Sequence, residues 1–345
     1  MPCAHTCRTP TGVIDSLRMG FETLAGQPLL LLPPLLLDLL LWIGPRLSIR
    51  TFAAPAVEGL VSAMGAPNPQ TPAVAQALGD IEGTLEYVAA HFNALSMLIT
   101  APLGVPSLIG RLAPEVTPEG VTPAVWELGS IWVALLAMVA LALVGLLIGA
   151  AYLGMMANQV RHGALHGRAL LRLLPRHWAN LSGLALIMLS SLLVVATPFL
   201  CLASFLGMVS PLLAFVVLTV GLSVGLWTIV FLLFAAHTML LKDRSLFTAI
   251  GESARVVQLN VASTIMLLLV IGLVYLGTSE IFHLVTPDSW LMVVGLAAHA
   301  FVATALFVAT FVYYQDRYRH YQEFFAYLAA SKQISSAGGQ RGREG

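Results

Sequence analysis

Long apolar runs constrain the fold of this chain more than any other feature. A helix needs about 20 mostly apolar residues to cross the ~30 Å hydrocarbon core of a bilayer. Runs near or above that length cover residues 28–44, 131–157, 181–206, 212–240, 261–286 and 290–314. Only 10% of the residues are charged, against roughly 25% in a soluble domain. We therefore predict an all-α integral membrane protein built as a six-span helical bundle.

The positions of Lys and Arg predict which side each loop faces. Cytoplasmic loops retain Lys and Arg, which sets the orientation of a bundle. If both termini are cytoplasmic, the outer segments hold only Arg46, Arg50 and Arg111, and every other Lys and Arg falls inside. We therefore predict a multi-pass protein of the cell membrane with both termini in the cytoplasm. The net charge of zero gives no ground for a nucleic-acid partner.

The predicted spans divide the chain into five parts. The first run contains Pro33 and Pro34, which remove helix hydrogen bonds and make that span locally imperfect. The parts are a cytoplasmic amphipathic segment 1–27, the first span 28–44, an extracytoplasmic and partly helical segment 45–130, a five-span bundle 131–315 and a cytoplasmic tail 316–345.

The extracytoplasmic segment has internal structure of its own. From Val74 to Leu95, apolar residues recur at alternating steps of four and three, which predicts an amphipathic helix. This helix either caps the bundle or acts as a lid over an opening. The stretch 87–110 is apolar but contains polar residues and the prolines Pro102 and Pro106. We interpret it as interfacial, with a seventh span as the alternative.

Three stretches that precede spans look alike. They read "SLRMGFETLAGQ", "ALLRLLPRHWAN" and "AIGESARVVQLN", and they enter the first, third and fifth spans. Each is short, amphipathic and partly basic, which is typical of a helix in the membrane interface. The pattern predicts three hairpins, each preceded by a cytoplasmic interfacial helix. The alternative is that any basic loop next to a span has this composition.

Parts of the same stretches also carry a resemblance to known proteins. They are "SLFTAIGESARVVQLNVASTIMLLL", the opening "SLRMGF…P…P…D" and the closing "FVYYQDR". Together they resemble uncharacterised bacterial multi-pass proteins, which are loosely similar to the membrane domain of some glycerophosphoryl diester phosphodiesterases. The resemblance covers most of the helical part and implies a helical bundle in a bacterial inner membrane. It transfers no catalytic residue, because the phosphodiesterase catalytic domain has no counterpart in these residues.

Ionisable residues inside spans are the natural candidates for a functional site. Each costs about 2.5–3.5 kcal/mol near the bilayer centre unless it is paired or hydrated. Asp38, Glu280 and His299 fall in the outer half of their spans, at about 9, 6 and 14 Å from the outer ends. We predict a hydrated polar site there, with Asp38 and His299 able to exchange a proton. The alternative is that Asp38 bonds a neighbouring hydroxyl or backbone group and fixes packing.

A second candidate site uses a serine. "GLSVG" fits a G-x-S-x-G pattern, and Ser223 lies close to the predicted depth of His299. A serine on the fourth span and a histidine on the sixth resemble the dyad of rhomboid intramembrane proteases. Val224 and Phe301 stand where that pattern needs small residues. The alternative is that such glycines form a helix-packing face, as Gly145 and Gly149 also suggest.

The remaining histidines and cysteines do not predict a metal site. His162 and His166 lie one helical turn apart, and "CAHTC" supplies Cys3, His5 and Cys7 on the same predicted side. The histidine pair lacks the acid of an H-E-x-x-H motif, and the cysteines have no second pair at characteristic spacing. We interpret this region as a basic loop facing anionic lipid headgroups. We predict no metal and no cofactor.

For function, the sequence favours a transport-related or permease-like membrane component with an outer-half polar site. Buried charges and broken helices are common where a pathway exists. The alternative is a non-catalytic scaffold or assembly factor that binds lipid and protein partners through its basic loops, and an intramembrane serine protease is a minor third. A pathway requires a water-filled cavity that reaches Asp38, whereas a scaffold requires a dry core in which Asp38 is satisfied locally.

Overall fold

The structure of this chain is a computed structural model that describes residues 11–64, 72–112, 117–285 and 288–341. These residues are almost entirely helical. The helices are α1 (Val13–Ala25), α2 (Leu32–Ile43), α3 (Arg50–Met64), α4 (Pro72–His91), α5 (Ile109–Leu112), α6 (Ile131–His162), α7 (Gly167–Gly207), α8 (Pro211–Lys242), α9 (Leu246–Leu259), α10 (Val261–His283) and α11 (Met292–Arg341). Two 3-10 helices cover Pro28–Leu31 and Ala94–Leu98, and two strands, β1 (Arg46–Ser48) and β2 (Val125–Glu127), pair in parallel.

Among the described residues, five helices are long and apolar enough to cross a membrane. They are α6, α7, α8, α10 and the first part of α11, up to Glu323. A sixth span results if the bent pair of α1 and Pro28–Ile43 counts as one. The prediction of an all-α membrane protein is therefore confirmed. The six-span topology stays a prediction.

The helix boundaries differ from the repeat pattern at one of its three positions. The first and third segments are separate helices, α1 and α9. The second is the beginning of α7, which continues through Asn180 to Gly207 without a break. The helix continues past Ser182 and Gly183, because the residues from Leu184 to Met188 are apolar and most of them are good helix formers. In the same way, α11 continues from its span into the predicted tail.

The chain divides into two compact units. Unit 1 contains residues up to 27, 154–273 and those from 305 onward, and unit 2 contains 28–153 and 274–304. In unit 1, α7 packs along α8, and α8 packs along α9. The Ser253 hydroxyl of α9 donates a hydrogen bond of 2.8 Å to the Phe231 carbonyl of α8. Helix α9 is thus packed against α8, with Ala249, Val256 and Val257 buried.

Unit 2 is organised around a two-stranded sheet. β1 follows α2 after a short connection, β2 precedes α6, and Leu47 pairs with Trp126. The Asn93 side chain accepts hydrogen bonds from the backbone N–H groups of Leu47 (3.0 Å) and Leu95 (3.1 Å). Asn93 therefore ties the start of the 94–112 segment to β1. Helices α3 and α4, which contact each other, lie between these elements in sequence.

Candidate functional site

Asp38 lies on α2 and is completely buried. Its carboxylate accepts three hydrogen bonds. The Ser107 hydroxyl donates to Oδ1 at 2.5 Å, the Leu108 N–H to Oδ2 at 3.2 Å and the Ile109 N–H to Oδ1 at 3.2 Å. The three donors are consecutive residues, two at the end of a short segment and one at the beginning of α5. This is the local satisfaction of Asp38 that the sequence offered as the alternative to a working carboxylate.

The local sequence explains why this segment needs a carboxylate. Residues 103–109 are all buried, yet they form no regular structure before α5 begins at Ile109. The first N–H groups of a helix have no partner within the helix, and a buried N–H group without a partner is costly. Asp38 supplies these acceptors from α2. The Ser107 hydroxyl extends the network, because it also accepts from the Gly110 N–H at 3.0 Å.

Gly145 and Gly149 of α6 provide the space in which this segment lies. A Cβ atom on Gly149 would be 2.7 Å from the Leu103 carbonyl oxygen, and one on Gly145 would overlap the Leu98 backbone. We expected these glycines to form a helix-packing face. Instead, they allow a close approach of non-helical backbone to α6, because a glycine places no side chain in the way.

His299 of α11 is also completely buried. Its Nε2 atom lies 3.4 Å from the hydroxyl of Ser279 on α10, and its ring packs beside that of Tyr275 with the ring centroids 5.4 Å apart. The Ser279 hydroxyl donates a hydrogen bond of 2.7 Å to the Tyr275 carbonyl. Glu280, the next residue on α10, is exposed.

The three residues of the predicted polar site therefore share unit 2 but not one hydrogen-bonded cluster around Asp38. The hydrogen bonds of Asp38 go to residues 107–109, so the proton exchange predicted between Asp38 and His299 has no direct hydrogen bond in the described part of the chain. Sequence reasoning missed Ser107. The dipeptide Pro106-Ser107 ahead of an apolar residue was a usable signal, since serine often precedes the first turn of a helix.

Ser223 lies on α8 and is exposed. Its hydroxyl donates a hydrogen bond of 2.9 Å to the Thr219 carbonyl of its own helix. It lines a surface groove of about 400 Å³ together with Thr219, Trp227 and Phe231. Ser223 belongs to unit 1 and His299 to unit 2, and each makes its hydrogen bond within its own unit. The protease dyad therefore stays a prediction.

Buried polar residues of unit 1 were missing from the sequence-based candidates. His237 of α8 has its Nε2 atom 2.8 Å from the Thr310 hydroxyl of α11. The next residue, Thr238, pairs its hydroxyl with that of Tyr314 at 2.5 Å. The predicted polar site contains only residues in the outer half of the spans and omits His237, which lies inside the predicted 212–240 run. Helix α11 takes part in each pair, and 61% of its most apolar stretch is buried, against at most 17% in the other four long helices.

Charged residues of unit 1 gather around the end of α8. Asp243 directly follows the last residue of α8 and adopts a left-handed conformation with φ 53°. Its carboxylate lies 3.0 Å from the Arg161 guanidinium and 3.5 Å from the His177 ring. The Arg176 guanidinium donates to the Asp243 carbonyl at 3.1 Å.

Arg244 follows Asp243 in the sequence, and its guanidinium lies 3.5 Å from the Glu252 carboxylate. A hydrogen bond from its guanidinium to the Tyr318 hydroxyl, together with the charge of Glu252, raises the pKa of Arg244 above its usual value. By contrast, Arg168 and Arg172 of α7 are exposed and make no ion pair within the described residues. The carboxylates thus pair with part of this basic surface and leave the Arg168–Arg172 face open.

No metal centre is found among the described residues, where no three His, Cys, Asp or Glu side chains come together. The rings of His162 and His166 lie side by side with centroids 5.7 Å apart. Cys3, His5 and Cys7 lie outside the described residues, as does the side chain of His283. Among the described residues, no third possible metal ligand joins these two histidines.

Comparisons with protein-family models, with curated proteins and with solved structures give no match to this chain. The resemblance to the membrane domain of glycerophosphoryl diester phosphodiesterases therefore stays a prediction.

Proposed function

We propose that this protein is a non-catalytic membrane scaffold with six spans, counting the bent α1–α2 pair as one, and with both termini in the cytoplasm of a bacterial cell. The hydrogen bonding of Asp38 carries this proposal. Buried ionisable residues in a membrane mark a pathway by default. Asp38 instead accepts three hydrogen bonds from one buried segment, and this arrangement supports a structural role.

The basic surface at the start of α7 supplies the docking face of the scaffold. Arg168 and Arg172 lie one turn apart on the exposed side of this helix, and Leu171 between them is 69% exposed. A guanidinium pairs with carboxylate or phosphate groups through a planar fork of donors. We therefore expect an acidic protein segment to bind this face.

Site-specific photocrosslinking tests the docking face. A photoreactive residue at Leu171 is expected to capture a defined partner in cells, and the double substitution Arg168→Gln with Arg172→Gln is expected to reduce that crosslink several-fold. Arg255→Gln, an exposed arginine on α9, is the matched control and leaves the crosslink unchanged. Equal loss in both variants, or no crosslinked product in the parent, would contradict the docking face.

Reconstitution tests the absence of a pathway. The protein is placed in vesicles that contain a pH-sensitive dye, and proton entry is followed in the parent and in Asp38→Asn. We expect no flux above protein-free vesicles in either sample. Proton flux in the parent that is abolished in Asp38→Asn would contradict the scaffold proposal.

A second candidate is a transport-related role that handles protons. Two buried imidazoles favour it, because His237 pairs with Thr310 and His299 with Ser279 inside their own units. Imidazole is the side chain best suited to exchange protons near neutral pH. In the same vesicle assay, this candidate predicts flux that His237→Asn or His299→Asn abolishes while Asp38→Asn retains it. No flux in the parent would remove this candidate and leave the scaffold.

A further inference from the structure

We propose that residues 93–112 form a re-entrant segment that enters the bilayer from the outer side, turns at mid-depth beside α6 and returns to the same side, with Asp38 as its latch. For the overlapping stretch 87–110, the sequence offered two other interpretations, an interfacial segment and a seventh span. The proposal uses the predicted membrane orientation but is independent of whether the protein is a scaffold or a transporter.

The chain is anchored to the same small sheet before and after the segment. At its beginning, Asn93 accepts a hydrogen bond from Leu47 of β1, and it forms a bridge with Ser48. After the segment, the chain reaches β2, where Trp126 pairs with Leu47 of β1. Because the chain leaves this sheet at Asn93 and returns to it at Val125, it has no net crossing of the membrane between those two residues.

The depth of the segment can be measured along α6. Gly145 is near the centre of the apolar run 131–157, which is the predicted span of this helix. It follows the first residue of α6, Ile131, by 14 positions, or about 21 Å at 1.5 Å per residue. The backbone of Leu98 packs against Gly145, and that of Leu103 and Gly104 against Gly149. The turn of the segment therefore lies beside the middle of an apolar span.

Irregular backbone is tolerated at that depth only where protein covers it or where it lines a water-filled cavity. Here protein covers it, because Leu103, Val105 and Leu108 are each at most 2% exposed. Asp38 then provides acceptors for N–H groups that have no regular partner. The three hydrogen bonds connect the returning arm of the segment to α2.

Depth is tested with a fluorescent label on the exposed side of α6. In a parent in which Cys3, Cys7 and Cys201 are replaced by serine, single cysteines at Val144 and Leu147 carry bimane at the height of Gly145. We expect lipids brominated deep in their acyl chains to quench both labels, and lipids brominated near the headgroup to quench a label at Leu136. Quenching of the Val144 label by aqueous iodide, and not by brominated lipid, would overturn the proposal.

Sidedness is tested with single cysteines at Tyr87 and Glu119, which are exposed residues before and after the segment. A membrane-impermeant maleimide applied to intact cells is expected to label both positions. Labelling of one position from outside and the other only from inside would make the segment a seventh span and overturn the proposal.

The latch is tested by labelling Val105→Cys in the parent and in Asp38→Ala. The buried thiol reacts only when the segment opens, so we expect labelling at least about tenfold faster without the latch, since the lost hydrogen bonds raise the open fraction. Asp80→Ala, which removes an exposed carboxylate of α4, is the matched control and leaves the rate unchanged. An unchanged rate in Asp38→Ala would refute the latch. If Asp38→Ala does not fold, Ser107→Ala is labelled instead. A labelling rate equal to that of the parent would then refute the latch.

Discussion

The hydroxyl of Ser107 donates a hydrogen bond to the carboxylate of Asp38, although 69 positions separate the two residues in the sequence. This bond connects α2 to a buried segment that has no regular structure. A carboxylate without partners is energetically unfavourable in an apolar span. Here Asp38 instead serves as the hydrogen-bond acceptor for buried backbone N–H groups.

Replacement of Asp38 by alanine is expected to destabilise the protein. It leaves the buried N–H groups of Leu108 and Ile109 without acceptors, at about 1–3 kcal/mol for each. Ser107→Ala is expected to cost less, since it leaves those two hydrogen bonds in place and removes only the hydroxyl that donates to Asp38 and accepts from the part-buried Gly110 N–H. Thermal unfolding in detergent of both single variants and the double variant measures the coupling, which we expect to be about 0.5–3 kcal/mol. Strictly additive effects would contradict the bond.

This pair also illustrates what the sequence could predict. Asp38 stood out because it is a charge in a leucine-rich run, and the alternative that it bonds a hydroxyl or backbone group agrees with its contacts. Its partners could not be predicted, because residues 98–108 have no periodic pattern that would place them against α2. The apolar runs were easier to interpret, since length and composition alone decide whether a helix can cross a bilayer.

Gly149→Ala is expected to destabilise the protein even though alanine is the better helix former. The new Cβ atom would lie 2.7 Å from the Leu103 carbonyl oxygen and 2.9 Å from the Gly104 Cα atom, and overpacking against backbone costs about 1–3 kcal/mol. Gly272→Ala on α10 is the matched control, because nothing lies within 4 Å of its Cβ position. There the substitution should be neutral or stabilising by up to about 1 kcal/mol. Equal thermal midpoints for the two variants would argue against the close approach of the segment.

Asp243 gives a prediction in which backbone conformation outweighs an ion pair. The Arg161–Asp243 pair is about one-third exposed, so its loss should cost at most about 1 kcal/mol. Glycine tolerates the φ of 53° at this position better than alanine does. Asp243→Gly is therefore expected to be more stable than Asp243→Ala, by about 1 kcal/mol, in thermal unfolding. The reverse order would mean that the end of α8 does not adopt the left-handed conformation.

Thr238 and Tyr314 test how much a buried pair of hydroxyl groups between two membrane helices contributes to the free energy of unfolding. We expect the loss to be small when both hydroxyls are removed together. Their hydroxyls lie 2.5 Å apart on α8 and α11. Thr238→Val alone leaves the Tyr314 hydroxyl buried without this partner. Tyr314→Phe alone leaves the Thr238 hydroxyl with only its longer hydrogen bond of 3.4 Å to the Phe234 carbonyl. An unsatisfied buried hydroxyl costs about 1–3 kcal/mol, whereas hydrogen bonds between membrane helices contribute only about 0.6 kcal/mol on average. We therefore expect the double variant to unfold at a higher temperature than the sum of the two single effects predicts. A double variant as unstable as that sum would show that the two hydroxyls do not interact.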